Sequence, residues 1–157
     1  MENGRLAIAI GSDHAGFALK ETIRGGLERA GYAVEDLGTP SEESCDYPDF
    51  ALPVAEAVSS GRADRGILIC GTGAGMAMTA NKVSGIRAAV CNELYTAEYC
   101  RLHNDANILA LGARIVSEED AMVIVEKFLS TAFEADDSRH VRRLGKFDAV
   151  ERKYMKA

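Results

Sequence analysis

No stretch of the chain approaches the ~18 consecutive apolar residues that a membrane-spanning helix requires, which argues against a helical membrane protein. The opening residues Met1-Glu2-Asn3-Gly4-Arg5 lack the basic and then apolar pattern of a secretory leader, so a cytoplasmic location is expected. Cysteine is scarce. The four, at positions 45, 70, 91 and 100, form no CxxC pair, which suits a reducing compartment better than a disulfide framework. Histidine is scarcer still: His14, His103 and His140 are far apart in the sequence and no HExxH occurs, so no metal site is expected. Basic residues are in deficit, 18 Lys and Arg against 24 Asp and Glu for a net charge of −6. That balance argues against general nucleic-acid binding, which rests on a basic surface. An anionic ligand must therefore meet a local concentration of positive charge, and Arg139-His140-Val141-Arg142-Arg143 is the candidate. Neither an internal repeat nor a low-complexity segment is present.

What the chain does contain is the composition of a soluble globule, 47% apolar and 27% charged over 157 residues, the size of a single domain spanning residues 1–157. Short apolar runs alternate with helical periodicity. Leu6 to Ile10 reads as a strand, then Phe17, Leu19, Ile23 and Leu27 as a helix face, and Ala33 to Leu37 as a second strand. A helix follows Asp46-Tyr47-Pro48 with Asp46 or Asp49 as its cap, and Pro53 favours Asp49, because that cap places the proline in the first turn. Gly66 to Cys70 is the third strand, and its helix runs from Ala74 to Lys82. Ile86 to Cys91, a helix from Tyr95 to His103, and Asn107 to Leu111 complete the alternation. Ser117-Glu118-Glu119-Asp120 caps a further helix. Such alternation predicts an α/β fold, a three-layer α/β/α sandwich with a five-stranded parallel sheet. A last helix, over about 138–155, carries Val141, Leu144, Phe147, Val150 and Tyr154 as a narrow stripe. With both sheet faces already covered, that stripe is expected to pack on a second subunit.

The chemistry centres on Ile69-Cys70-Gly71-Thr72-Gly73-Ala74-Gly75. A buried strand ends in cysteine and opens into a glycine-rich turn from which a helix starts, so free N–H groups converge beside the thiol. Neither this loop nor Gly11-Ser12-Asp13-His14-Ala15-Gly16 matches a dinucleotide fingerprint or a Walker loop. A cysteine ending an apolar strand is most often a small buried hydrophobe. At a helix N-terminus, however, it is expected to ionise more readily and to serve as a base. Base and oxyanion donors together are what proton abstraction beside a carbonyl demands, with neither metal nor nucleotide. His103 suits the movement of a hydroxyl proton, and Asp13-His14, after the first strand, can hold sugar hydroxyls. Arg139 and Arg143 share a helix face and can grip a dianion jointly, with Arg114 in support.

These segments, with Asp46-Tyr47-Pro48, Ala80-Asn81-Lys82, His103-Asn104-Asp105-Ala106-Asn107 and Arg139-His140-x-x-Arg143, resemble the type B ribose-5-phosphate isomerases, within the wider family of ribose-, galactose- and allose-phosphate isomerases. The resemblance runs from about residue 6 to 150. It implies a Rossmann-like sandwich acting as a homodimer, in some members a tetramer, with the active site shared across the interface. By position it implies Cys70 as the base, Thr72 as an assisting hydroxyl, and His103 with Asp13 as the ring-opening pair. Gly71, Gly73, Ala74 and Gly75 would line the enediolate. Tyr47 and Asn104 would contact substrate, and Arg114, Arg139 and Arg143, with His14 or His140, would hold the phosphate. The partner implied is a phosphosugar, with no cofactor, metal, nucleic acid or membrane. Ser12 departs from the cysteine that the family pattern places beside the Asp-His pair.

Interconversion of ribose 5-phosphate and ribulose 5-phosphate is thus the leading expectation. The alternatives are an isomerase of galactose 6-phosphate, allose 6-phosphate or a tetrose phosphate, a non-catalytic phosphosugar-binding regulator, and a nucleotide-binding module.

Overall fold

The computed structural model describes residues 5–155; residues 1–4, read above for a leader, lie outside it. Strands β1 (Ala7–Ser12), β2 (Ala33–Asp36), β3 (Arg65–Cys70), β4 (Ala88–Val90) and β5 (Ile108–Gly112) alternate with helices α1 (Phe17–Arg29), α2 (Pro48–Ser59), α3 (Ala74–Ala80), α4 (Leu94–Asn104) and α5 (Glu118–Ser130), followed by α6 (Ser138–Tyr154). They form one five-stranded sheet in the order β2-β1-β3-β5-β4, parallel at every pairing. The chain winds outward from β1 to β2, then returns to the other side of β1 to lay down β3. This reversal opens a crevice between the carboxyl ends of β1 and β3, where open parallel sheets bind ligands.

Alternation along each strand divides the core. Ile8, Ile10, Ile67, Ile69, Leu109 and Leu111 pack with Leu19, Ile23, Ile124 and Phe128 beneath α1, α4 and α5. Ala9, Leu68, Cys70 and Ala110 face α2 and α3, among Val54, Ala55, Met76 and Ala80. Each large aliphatic or aromatic side chain so buried contributes roughly 1.5–3 kcal/mol. The second face is built from smaller residues, and α2 comes close to the sheet: a Cβ on Gly11 would lie 2.9 Å from Val54 and 3.0 Å from the Phe50 carbonyl.

Three expectations need correction. Helix α2 begins at Pro48 behind Tyr47, which makes no side-chain cap bond, rather than at an Asp46 or Asp49 cap. Pro48 supplies the preset φ of a first helical residue, and Pro53, half-buried, lies inside the helix rather than in its first turn. Strand β4 is shorter than the 86–91 run, and on its outer edge the Asn81 side chain accepts from the Ala88 N–H at 2.8 Å and donates to the Ala88 carbonyl at 3.0 Å. Finally, the histidines at 103 and 140 are not far apart in space; their rings stack with centroids 4.2 Å apart. Ser117 does cap α5, accepting from the Asp120 N–H at 3.1 Å. Among the described residues no helix is long and apolar enough to cross a membrane.

Candidate active site

Two groups of polar side chains stand at opposite edges of the sheet. The first surrounds the crevice. Ser12 pairs with Ile69 across β1 and β3, so Asp13 and Cys70 leave the sheet side by side. The turn after Cys70 is held by Gly73 at φ 85°, a left-handed conformation that glycine adopts without strain. The Gly73 N–H thereby donates to the Cys70 Sγ at 3.1 Å. The Ala74 N–H donates to the Thr72 hydroxyl at 3.3 Å. Two bonds tie this loop to the one after β5: Ala113 N–H to the Cys70 carbonyl at 2.8 Å and Arg114 N–H to the Gly71 carbonyl at 3.1 Å. The Arg114 guanidinium lies over Gly71 and the Tyr47 ring over Gly75, where an added Cβ would meet them at 3.1 and 2.7 Å. Side chains larger than hydrogen at 71 and 75 would displace both groups.

Asp13 is 6% exposed and accepts from the Gly16 N–H at 3.2 Å; its own N–H donates to the Ile69 carbonyl. His14 is fixed through Nδ1, which accepts from the Cys45 N–H at 3.2 Å. Cys70, 6% exposed, sits at the rim of the core with the Gly73 N–H aimed at its sulphur.

The second group gathers where α4 ends and β5 begins. Arg101, buried, donates to the Asp105 carboxylate at 2.7 Å, the Ala106 carbonyl at 2.6 Å and the Thr131 carbonyl at 3.2 Å. These bonds fix the end of α4 that carries His103 and Asn104. His103 stacks on His140 from the first turn of α6, and Nε2 of both faces Glu134 Oε2, at 3.9 and 3.5 Å. Arg139 donates through Nε and Nη2 to both oxygens of Asp137, at 3.1 and 2.7 Å, and these bonds hold the Asp137 carboxyl well below the usual carboxylate range. Asn104 and Arg143 line a cavity of about 330 Å³ with Asn81, Arg87 and Phe147.

Within one chain the structure therefore joins Asp13, His14, Tyr47, Cys70, Thr72, Gly71, Gly73, Ala74, Gly75 and Arg114. It separately joins His103, Asn104, His140 and Arg143, with Arg139 turned to Asp137. The two groups do not meet. Asn104 lies four residues before Ile108, which pairs with Gly66 at the start of β3, whereas Cys70 ends β3 opposite Gly112. Four strand steps separate those levels by about 13 Å. His103 and Asp13, paired on the strength of the resemblance, are thus at different edges of the same chain. Glu134 was not singled out from the sequence. It lies in a loop without periodicity, and only the docking of that loop on α4, through the Glu134 N–H to the Leu102 carbonyl at 3.1 Å, brings it to the histidines.

The sequence matches the Ribose/Galactose Isomerase family over residues 8–147. Ribose-5-phosphate isomerase B of Escherichia coli is 48% identical, over 93% of this chain and 97% of that protein. D-erythrulose-4-phosphate isomerase of Pectobacterium atrosepticum is 43% identical, over 94% and 98%. A solved structure of ribose-5-phosphate isomerase B from Clostridium thermocellum is 54% identical with a TM-score of 0.92, covering 95% of this chain and 99% of that one.

Proposed function

Because the chain belongs to the ribose/galactose isomerase family, we propose that it interconverts ribose 5-phosphate and ribulose 5-phosphate. The observation that carries this reading is the Cys70 thiol at the β1/β3 crevice with a loop amide aimed at its sulphur. On the open-chain aldose, the Cys70 thiolate takes the proton from C2. The electron pair forms the C1–C2 double bond and the C1 oxygen becomes anionic, where the amides of the Gly71–Gly75 loop stabilise it. The proton then returns to C1 while the O2 hydroxyl proton moves across to O1, with Thr72 assisting. His103 and Asp13 open the furanose ring. Tyr47 and Asn104 contact the sugar, and Arg114, Arg139 and Arg143, with His14 and His140, hold the phosphate.

Since the two groups of residues lie at opposite edges of one sheet, a whole site needs the carboxyl edge of one chain against the amino edge of a second. We therefore read the working form as a homodimer with two such sites. Helix α6 supports this, because Val141, Phe147, Val150 and Tyr154 are 47%, 52%, 60% and 71% exposed and remain uncovered in the single chain. A cytoplasmic location belongs to the same reading, with all four cysteines present as thiols.

Replacing Cys70 by alanine tests the assignment. The fold should be retained while turnover falls by roughly 10²–10⁴, the usual contribution of a general base; a variant with unimpaired turnover would overturn it. A relative named for a four-carbon substrate favours a tetrose phosphate as the second reading. Turnover on four-, five- and six-carbon phosphates, measured side by side, separates the two. Exchange of the C2 proton in heavy water separates either from a binding protein without chemistry.

A further inference from the structure

We propose that His103, Glu134 and His140 form a binding site for a divalent transition-metal ion of the zinc class, and that filling this site stops turnover. The three residues come from three separate elements, α4, the loop before α6, and α6. One ligand atom from each lies within 4.8 Å of the others. The separations from Glu134 Oε2 to Nε2 of His140 and His103 are 3.5 and 3.9 Å. A tetrahedral zinc site with bonds of 2.0–2.1 Å has donor-to-donor edges of about 3.4 Å, so the carboxylate-to-imidazole edges are nearly formed before any ion arrives. Two imidazoles and one carboxylate are a donor set that zinc accepts, leaving a fourth position for water.

The scaffold beneath is rigid. The loop carrying Glu134 is pinned to α4 by the Glu134 N–H on the Leu102 carbonyl at 3.1 Å and by Arg101 Nε on the Thr131 carbonyl at 3.2 Å. His140 is buried, so its Nε2 is held in place facing Glu134, and its Nδ1 makes no hydrogen bond within the chain. Asp137 Oδ2, 3.6 Å from His140 Nε2, is a further oxygen beside the site. The ring planes are only 18° from parallel, so one must turn about its Cβ–Cγ bond to aim its lone pair at the ion. His103, with a side chain 40% exposed, has the room. Binding takes that lone pair, which ring opening requires. Only this inhibitory half rests on the role proposed for His103 above.

The test uses Zn²⁺ and Co²⁺ as probes. Binding is measured on the full chain carrying Cys70→Ala, which removes a competing thiolate. Calorimetry should find one ion per chain, and Co²⁺ should give the intensified visible absorption of a four-coordinate site. Adding Glu134→Gln or His103→Ala should each weaken binding at least tenfold, with Glu134→Asp retaining part of it. In the native chain Zn²⁺ should slow isomerisation and a chelator restore it. Glu134→Gln should keep basal turnover but need at least tenfold more Zn²⁺ for the same loss. Unchanged affinity in both the Glu134→Gln and Glu134→Asp chains would overturn the site and shift suspicion to Cys45 and His14, whose Sγ and Nδ1 lie 3.8 Å apart. Binding as expected without loss of turnover would overturn the inhibitory half, and the ring-opening role of His103 with it.

Discussion

At the scale of single residues, Gly73 carries the largest conformational demand in the site. Its φ is 85°, and a Cβ there would stand 3.1–3.2 Å from the backbone of Leu111, which cannot move aside. Gly73→Ala should lower stability by roughly 1–2 kcal/mol, the cost of a left-handed alanine. It should lower kcat much further, because the displaced N–H is the one that donates to Cys70. Denaturant melts set beside steady-state kinetics check both; a stable variant with native kcat would remove the loop amide from the mechanism. Asp137 makes the opposite kind of contribution. It occupies Arg139 with both carboxylate oxygens and stays ionised throughout the neutral range, so in the proposed reading an incoming phosphate competes with it for the guanidinium. Asp137→Asn keeps the cap on the Arg139 N–H but removes the charge. The KM for the sugar phosphate should fall, by up to roughly fivefold for an exposed pair, with kcat little changed. Arg139→Ala should raise KM, and if it does not, the phosphate role of Arg139 is wrong whatever Asp137 does.

At the scale of elements, the C-terminal part of α6 is tied to the loop before β4, where Glu151 accepts from the Ser84 hydroxyl and, at 2.9–3.0 Å, from the Gly85 N–H. The Ser84 bond first and the Gly85 bond second place its pKa below the ordinary 4.5. A depressed carboxylate stabilises the folded state fully above its unfolded pKa and loses that contribution as pH falls through the folded value. Docking of α6 should therefore be constant near neutrality and weaken below about pH 4.5. Protection of the Gly85 amide from hydrogen exchange, taken relative to the intrinsic rate at each pH, should fall there, and in Glu151→Gln this acid dependence should flatten. The element order was legible from periodicity alone, because the Ile8, Ile67 and Leu109 runs are buried on both faces and the helices between them are amphipathic. The start of α2 was not, because Pro48 outweighed two aspartates as an initiator. Nor was the extent of β4, whose free edge at Ala88 is taken by the Asn81 side chain. In the site, Asp13 and Cys70 each stand at the end of a strand that periodicity reveals, and in a parallel sheet such strand ends share one edge. The meeting of His103 with His140 was beyond reach, because it depends on how the 131–137 loop docks on α4, a tertiary contact without a repeat or a spacing to reveal it.

At the scale of the whole molecule, the separation of Cys70 from His103 by the length of β3 leads to a prediction about pairs of chains. If each site takes Cys70 from one chain and His103 from another, a twofold dimer contains two equivalent sites. Cys70→Ala and His103→Ala homodimers then both have every site broken. In a heterodimer of the two variants, one site carries both defects and the other carries neither. Unfolding and refolding an equal mixture should give half heterodimers with half their sites intact, restoring about one quarter of native turnover. Each variant refolded alone should stay inactive. If both groups served a site within one chain, the mixture would be as inactive as its components. Charging the α6 stripe distinguishes assembly from chemistry. Phe147→Glu with Val150→Glu alters two side chains already more than half exposed, so the subunit fold should survive while sedimentation reports a monomer. That monomer should be inactive with its thiol and glycine loop intact, because in the proposed reading each site draws its two groups from opposite edges of two different chains.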